Sequence, residues 1–185
     1  QSVRCDPMAS ITTWFERFDS AEVVWCRKLN RTLDRDGVRV LFRTVSRLGD
    51  GVIWYSLMLL MPILYGWQGL HVSLVMALTG AVGLVLYKLL KHRLVRERPF
   101  IRFNELMAGI APLDQYSFPS GHTLHAVGFT IVVVAYFPIW ALVLVPFAIL
   151  VALSRVVLGL HYPTDVMAGA VLGAGLAMSF IAYLG

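Results

Sequence analysis

Residues 51–87 read GVIWYSLMLL MPILYGWQGL HVSLVMALTG AVGLVLY, and no Asp, Glu, Lys or Arg interrupts them. A helix crosses the hydrocarbon core of a bilayer in about 20 apolar residues, so this stretch has the length of two crossings joined by a tight turn. Tyr65-Gly66-Trp67-Gln68-Gly69 supplies the turn, with glycines for the bend and aromatic rings of the kind that settle at the membrane interface. Two more charge-free blocks follow, from Thr123 to Ser154 and from Val166 to the C-terminus. The first suits a second hairpin turning at Tyr136-Phe137-Pro138, and the other suits one crossing. Crossings are therefore expected near 50–67, 70–90, 120–137, 139–158 and 164–184, which makes an all-α integral membrane bundle of about five transmembrane helices. Pro62 and Pro146 fall inside crossings, where a kink is expected rather than a stop, because neighbouring helices satisfy the freed carbonyl.

Composition agrees with this reading. The chain of 185 residues is 58% hydrophobic and 15% charged, with a mean hydropathy of +0.70, whereas soluble domains run at about 45–50% and about 25%. A soluble globular enzyme, a disordered chain and a collagen-like repeat are excluded. Cys5 and Cys26 alone give no disulfide framework and leave the redox compartment open.

The first 50 residues are too polar to cross. Arg27, Arg31, Arg35, Arg39, Arg43 and Arg47 recur every fourth residue, with Trp25, Leu29, Leu33, Val38, Leu41, Val45 and Leu48 among them. This pattern predicts interfacial amphipathic helix, broken near Asp36-Gly37, with a basic face toward headgroups. A plain solvated helix face is the alternative. The start, Gln1 to Pro7, lacks the apolar run of a cleavable signal peptide, so none is expected. The division is then residues 1–50 as a basic interfacial segment and 51–185 as the membrane domain. With five crossings, all 16 Lys and Arg residues fall on one side of the membrane. The positive-inside rule places that side in the cytoplasm, and the net charge of +5 is read as meeting anionic headgroups, with no nucleic-acid partner.

Three polar clusters sit at membrane ends on that same side: Lys91-His-Arg-Leu-Val-Arg-Glu-Arg98-Pro99, Pro119-Ser120-Gly121-His122, and Ser154-Arg155 followed by His161 and Asp165. Lys91, Arg98 and Arg155 converge from separate helix ends beside two histidines, an arrangement that suits an anion, and phosphate above all. Ser120 is placed to cap a helix whose first amides, at Gly121 and His122, point at that anion. Asp165 lies four residues after His161 and can accept from one ring nitrogen, leaving the other to attack phosphorus. Any one of these signals alone has a bland reading: Lys91 and Arg98 as solvated loop charges, Ser154-Arg155 as a snorkelling helix end.

Together the clusters resemble the signature K-x6-R-P, P-S-G-H and S-R-x5-H-x3-D of the type 2 phosphatidic acid phosphatase (PAP2) superfamily, with every motif position matched in order over about residues 50–185. The resemblance implies that His161 forms a phosphohistidine, that Asp165 orients it, that His122 protonates the leaving oxygen and later activates water, and that Lys91, Arg98, Ser120, Gly121 and Arg155 hold the phosphate. Three cations in the place of metal ions imply no cofactor and no divalent cation. His125, one turn from His122, could pair with it as His-x-x-His, but no third ligand accompanies them, and a packing or tuning role is expected. Asp50 is read as a helix cap or a partner of the site, and Tyr116, Asp114 and Arg102 as either substrate neighbours or plain loop.

These readings lead to a membrane phosphatase acting on a lipid phosphate or diphosphate: phosphatidic acid, phosphatidylglycerophosphate or undecaprenyl diphosphate. The expected location is a bacterial cytoplasmic membrane, with the active end on the side of the N-terminus. A vanadate haloperoxidase is disfavoured by the crossings. A non-catalytic phospholipid-phosphate binding or transport component is the alternative from another class, and it leaves His122, His161 and Asp165 without a purpose.

Overall fold

The computed structural model describes residues 21–110 and 116–185. Their regular structure is helical, apart from one isolated bridge between Glu97 and Tyr116. Helix α1 covers residues 21–30, and after a 3-10 turn at Arg31–Asp34 comes α2, Asp36–Arg47. A break at Leu48–Val52 leads into α3, Ile53–Arg93; α4 is the single turn Pro99–Arg102. Then come α5 (Gly121–Tyr136), α6 (Ala141–Val157) and α7 (Pro163–Leu184).

The long α3 is a hairpin. Gly66 sits at φ 56°, ψ −130°, a conformation open to glycine and costly to residues with a Cβ. Beyond it the chain returns along itself: Ser73 Oγ donates to the Met58 carbonyl at 2.7 Å, and a Cβ on Gly69 would collide with the Met61 carbonyl. The second hairpin closes where Tyr136-Phe137-Pro138 predicted, through a 3-10 turn at Pro138–Trp140. Both turns meet at one end of the bundle, where Tyr65 stacks on Phe137 at 3.8 Å and Trp140 Nε1 donates to the Tyr65 hydroxyl at 3.1 Å.

Three helical runs are long and apolar enough to cross a membrane: Asp36–Arg93, which contains the hairpin, Pro138–Val157 and Pro163–Leu184. Helix α5 is apolar but shorter. The chain is an all-helical, membrane-spanning bundle, and its outward faces carry Ile63, Trp67, Leu142 and Val171 exposed for lipid to cover. Lipid tails are as apolar as leucine, so helices associate through close packing of small residues rather than by hydrophobic collapse. Here α5 is the hub. Gly80 and Gly83 of α3 face Phe129 and Leu124, while Gly169 and Gly173 of α7 face the backbone carbonyls of Ser120 and Leu124. Through this face α7 packs mainly on α5, with little contact to α6, while Gly175 meets open space. The spacing shows that a helix has a flat face and not which neighbour fills it.

The amphipathic segment lies across the opposite, polar end. Its break falls slightly earlier than Asp36-Gly37, at extended Arg35 (φ −88°, ψ 117°), and Asp36 opens α2 with an ion pair to Arg39, as suits an acid at a helix N-terminus. Trp25, Val40 and Leu41 are exposed on the outside. On the inside, Asn30 spans three backbone groups, donating to Met107 O and Val157 O and accepting from Met107 N, each at 3.0 Å. Arg43 donates to the Gly109 carbonyl from α2.

Candidate active site

Helix direction decides what each element delivers to the polar end. Helices α3 and α6 finish there and carry Lys91 and Arg155 in their last turns, where the negative end of the helix dipole favours a cation. Helices α5 and α7 begin there, and their positive ends bring Gly121, His122 and Asp165. The loops between them are pinned to one another by backbone bonds. Ser117 N donates to Arg96 O, Phe100 N to Gly159 O, Ser120 N to Asp165 O, and His161 N to Arg155 O, at 2.8–3.3 Å. Gly159, at φ +72°, makes the turn between Arg155 and His161 that a side chain would strain.

One cavity of about 420 Å³ results, and Lys91, Arg98, Gly121, His122, Arg155 and His161 all line it. His161 is 2% exposed. Its Nε2 lies 3.4 Å from Arg98 Nη1, which also donates to the Leu160 carbonyl at 2.9 Å. Its Nδ1 faces Asp165 Oδ2 at 3.6 Å. Burial, reinforced by Arg98, Arg155, Lys91 and His122, holds the imidazole well below the usual histidine value. The ring is neutral near pH 7, with a lone pair available on one nitrogen. Asp165 is fully buried and lies outside the cavity lining, behind His161. Its Oδ2 accepts from Tyr162 N at 2.9 Å and its Oδ1 from Arg96 at 2.6 Å.

His122 is set differently, with Nε2 3.1 Å from Asp50 Oδ1 at the mouth of the cavity. Asp50 sits between Gly49 and Gly51; a Cβ at Gly49 would press on Val151, and Gly51 adopts φ +127°. Arg155 donates to Ser46 Oγ at 2.6 Å, and Lys91 Nζ lies 5.3 Å from the Tyr87 ring centre. His125 also lines the cavity, its ring nitrogens near the Gly121 and Gly80 carbonyls at 2.8 and 3.2 Å. No group of three or more metal-ligating side chains occurs among the described residues.

Ser120 departs from its expected capping role. It is the N-cap residue of α5, but its hydroxyl is buried and bonds Thr123 Oγ1 at 3.0 Å instead of a backbone amide. It is absent from the cavity lining, which Gly121 reaches. Arg102 is exposed and Tyr116 pairs with Glu97; neither lines the cavity, and Asp114 lies outside the described residues. Sequence reading passed over Arg96 and Glu22. The signal for Arg96 was alternation: around the Glu97 bridge, Arg96 and Arg98 are buried while Val95 and Glu97 are exposed, the period of an extended segment.

The chain belongs to the PAP2 superfamily, whose profile matches residues 68–185. It is similar to the undecaprenyl-diphosphatase of Sulfolobus acidocaldarius, 29% identical over 134 residues, 72% of this chain and 64% of that protein. It is also similar to phosphatidylglycerophosphatase B of Bacillus subtilis, 35% identical over 125 residues, 58% of this chain and 53% of that protein. This chain thus spans about half to two thirds of these curated relatives. The crystal structure of Aquifex aeolicus LpxE superposes with a TM-score of 0.77 at 25% identity, covering 88% of this chain and 96% of that one.

Proposed function

We propose that the protein is a membrane phosphatase that removes a terminal phosphate from a lipid phosphate or diphosphate. The observation that carries this reading is the single cavity in which neutral, buried His161 faces Lys91, Arg98 and Arg155, while the opposite wall is apolar. That wall lies between the two limbs of α3, with Tyr55 and Met58 on one and Ala77, Ala81 and Leu84 on the other. A phosphate entering the cationic end would leave its acyl or isoprenyl chain among helices that face lipid. The names of the relatives, an undecaprenyl-diphosphatase and a phosphatidylglycerophosphatase, support the same substrate class.

In the proposed reaction, His161 Nε2 attacks phosphorus as the bond to the leaving oxygen breaks. His122 protonates that oxygen, and Asp165 holds Nδ1 of the phosphohistidine. His122, now deprotonated, takes a proton from water, which displaces the phosphoryl group from Nε2 and releases inorganic phosphate. Lys91, Arg98, Arg155 and the amides at the start of α5 stabilise the charge on the equatorial oxygens. Phosphate release by the detergent-purified protein from phosphatidic acid, phosphatidylglycerophosphate and undecaprenyl diphosphate is expected to persist in EDTA and to vanish in His161→Ala. Binding of the lipids with no turnover by the unmodified protein would instead support a phosphate-binding component.

We further propose five crossings, with residues 1–50 as the interfacial segment and 51–185 as the catalytic domain, and the active end and N-terminus together on the cytoplasmic side of a bacterial inner membrane; the distribution of Lys and Arg supports this sidedness. Single cysteines replacing Gln68 and Glu105 in a cysteine-free background test this in intact cells: Gln68→Cys is expected to label from outside and Glu105→Cys is not.

A further inference from the structure

Arg96 is bound on two sides by carboxylates. Its Nη1 donates to Asp165 Oδ1 and its Nη2 to Glu22 Oε2, each at 2.6 Å, and its guanidinium lies 3.9 Å from the Tyr162 ring centre. Glu22 comes from α1, outside the residues matched by the superfamily profile. Its other contacts fall on the first turn of α7: Oε1 accepts from Thr164 N at 2.7 Å and Oε2 from Thr164 Oγ1 at 2.8 Å. Thr164 Oγ1 also accepts from Arg96 Nη1 at 2.8 Å. Glu22 therefore supplies, from a distant helix, an acceptor for an amide that α7 cannot satisfy internally, and it holds the arginine that grips Asp165. A carboxylate, a guanidinium and a carboxylate in line have their geometry fixed at three points, so moving one end moves the other.

We infer that Glu22 is a positioning residue: through Arg96 and the first turn of α7 it fixes Asp165, and thereby His161. This rests on the reading of His161 as the nucleophile. The N-terminal segment then serves the chemistry and is more than a surface anchor. A positioning group of this kind acts on turnover and not on substrate affinity, because the phosphate meets Lys91, Arg98, Arg155 and the start of α5 in either case.

The groups that face His161 are Lys91 from α3, Arg98 from the following loop, His122 from α5, Arg155 from α6 and Asp165 from α7. Removing the Glu22 charge takes one carboxylate away from Arg96, so the surroundings of His161 become more positive and its protonation moves to lower pH. Glu22→Gln in the full chain is expected to lower kcat by about tenfold, the low end of the loss when an outer partner of a working histidine is removed. KM is expected to change by less than about twofold, and the acid limb of kcat/KM to shift downward. Glu22→Asp, which keeps the charge and loses reach, is expected to restore the acid limb and part of kcat.

Wild-type kcat and acid limb in Glu22→Gln would overturn the inference. So would a fall in kcat that only tracks the folded fraction, with the acid limb unmoved, since that is what a purely structural ion pair gives. If Glu22→Gln does not fold, Glu22→Asp decides: lowered kcat at unchanged KM supports the inference and wild-type kcat overturns it. Absence of phosphate release from the unmodified protein would instead be a failure of the phosphatase reading.

Discussion

The two histidines of the cavity are built on opposite plans. His161 and the groups behind it are buried: Asp165 and Arg96 have side chains at most 1% exposed, tied to Tyr162 N, Thr164 and Glu22. His122 stands at the mouth, its partner Asp50 48% exposed on a glycine-flanked turn. The difference matches what each proposed role demands. A nucleophile gains from being held in one orientation and kept neutral, whereas an acid and base must exchange its proton with water in every turnover. Rigid burial around one and solvent access around the other fit a division of labour within a single pocket.

The sharpest way to break this contrast is to remove the histidine paired with Asp50. His122→Ala is expected to lower kcat by about 10²–10⁴-fold, the usual worth of a positioned acid or base, without loss of thermal stability; an equal loss in the initial burst of leaving-group release from a substrate with a very acidic leaving group would count against the acid role. A second variant attacks the frame that both histidines share. Gly169→Ala drives a methyl group into the Ser120 carbonyl at the start of α5; it is expected to cost about 1–3 kcal/mol in thermal unfolding and to reduce turnover about tenfold by shifting His122 relative to His161. The smallest effect belongs to Asp50→Asn. A partly exposed ion pair is worth about 0.2–1 kcal/mol, so turnover is expected to change by no more than about fivefold. A much larger loss would move Asp50 into the same buried-network logic as Asp165.

Much of this was legible in the sequence. Charge-free blocks marked the apolar helices, glycine and proline marked the hairpin turns at Gly66 and Pro138, and the three spaced clusters marked the residues that meet in one cavity. What was not legible is pairing at long range. Nothing in the local pattern said that the Gly169 face would seek α5, because a small-residue face is complementary to any flat neighbour. The same limit hid Glu22. In sequence it is one acid in an amphipathic, arginine-rich stretch, and only the folded chain brings it to Arg96. Ser120 misled for a related reason: its position at the N-cap was right, but its hydroxyl bonds that of Thr123, three residues on, in place of a backbone amide.

The bond from Thr164 to Glu22 joins groups 142 positions apart, and those of Arg96 to Asp165 and Glu22 join groups 69 and 74 apart. Contacts of such separation carry the largest loop-closure cost and form late. The hairpins at Gly66 and Pro138, by contrast, join neighbours in the chain. On the proposed mechanism, a chain that has formed its hairpins but not yet docked α1 against α7 lacks part of the frame around His161, so full turnover would report completion of the whole fold.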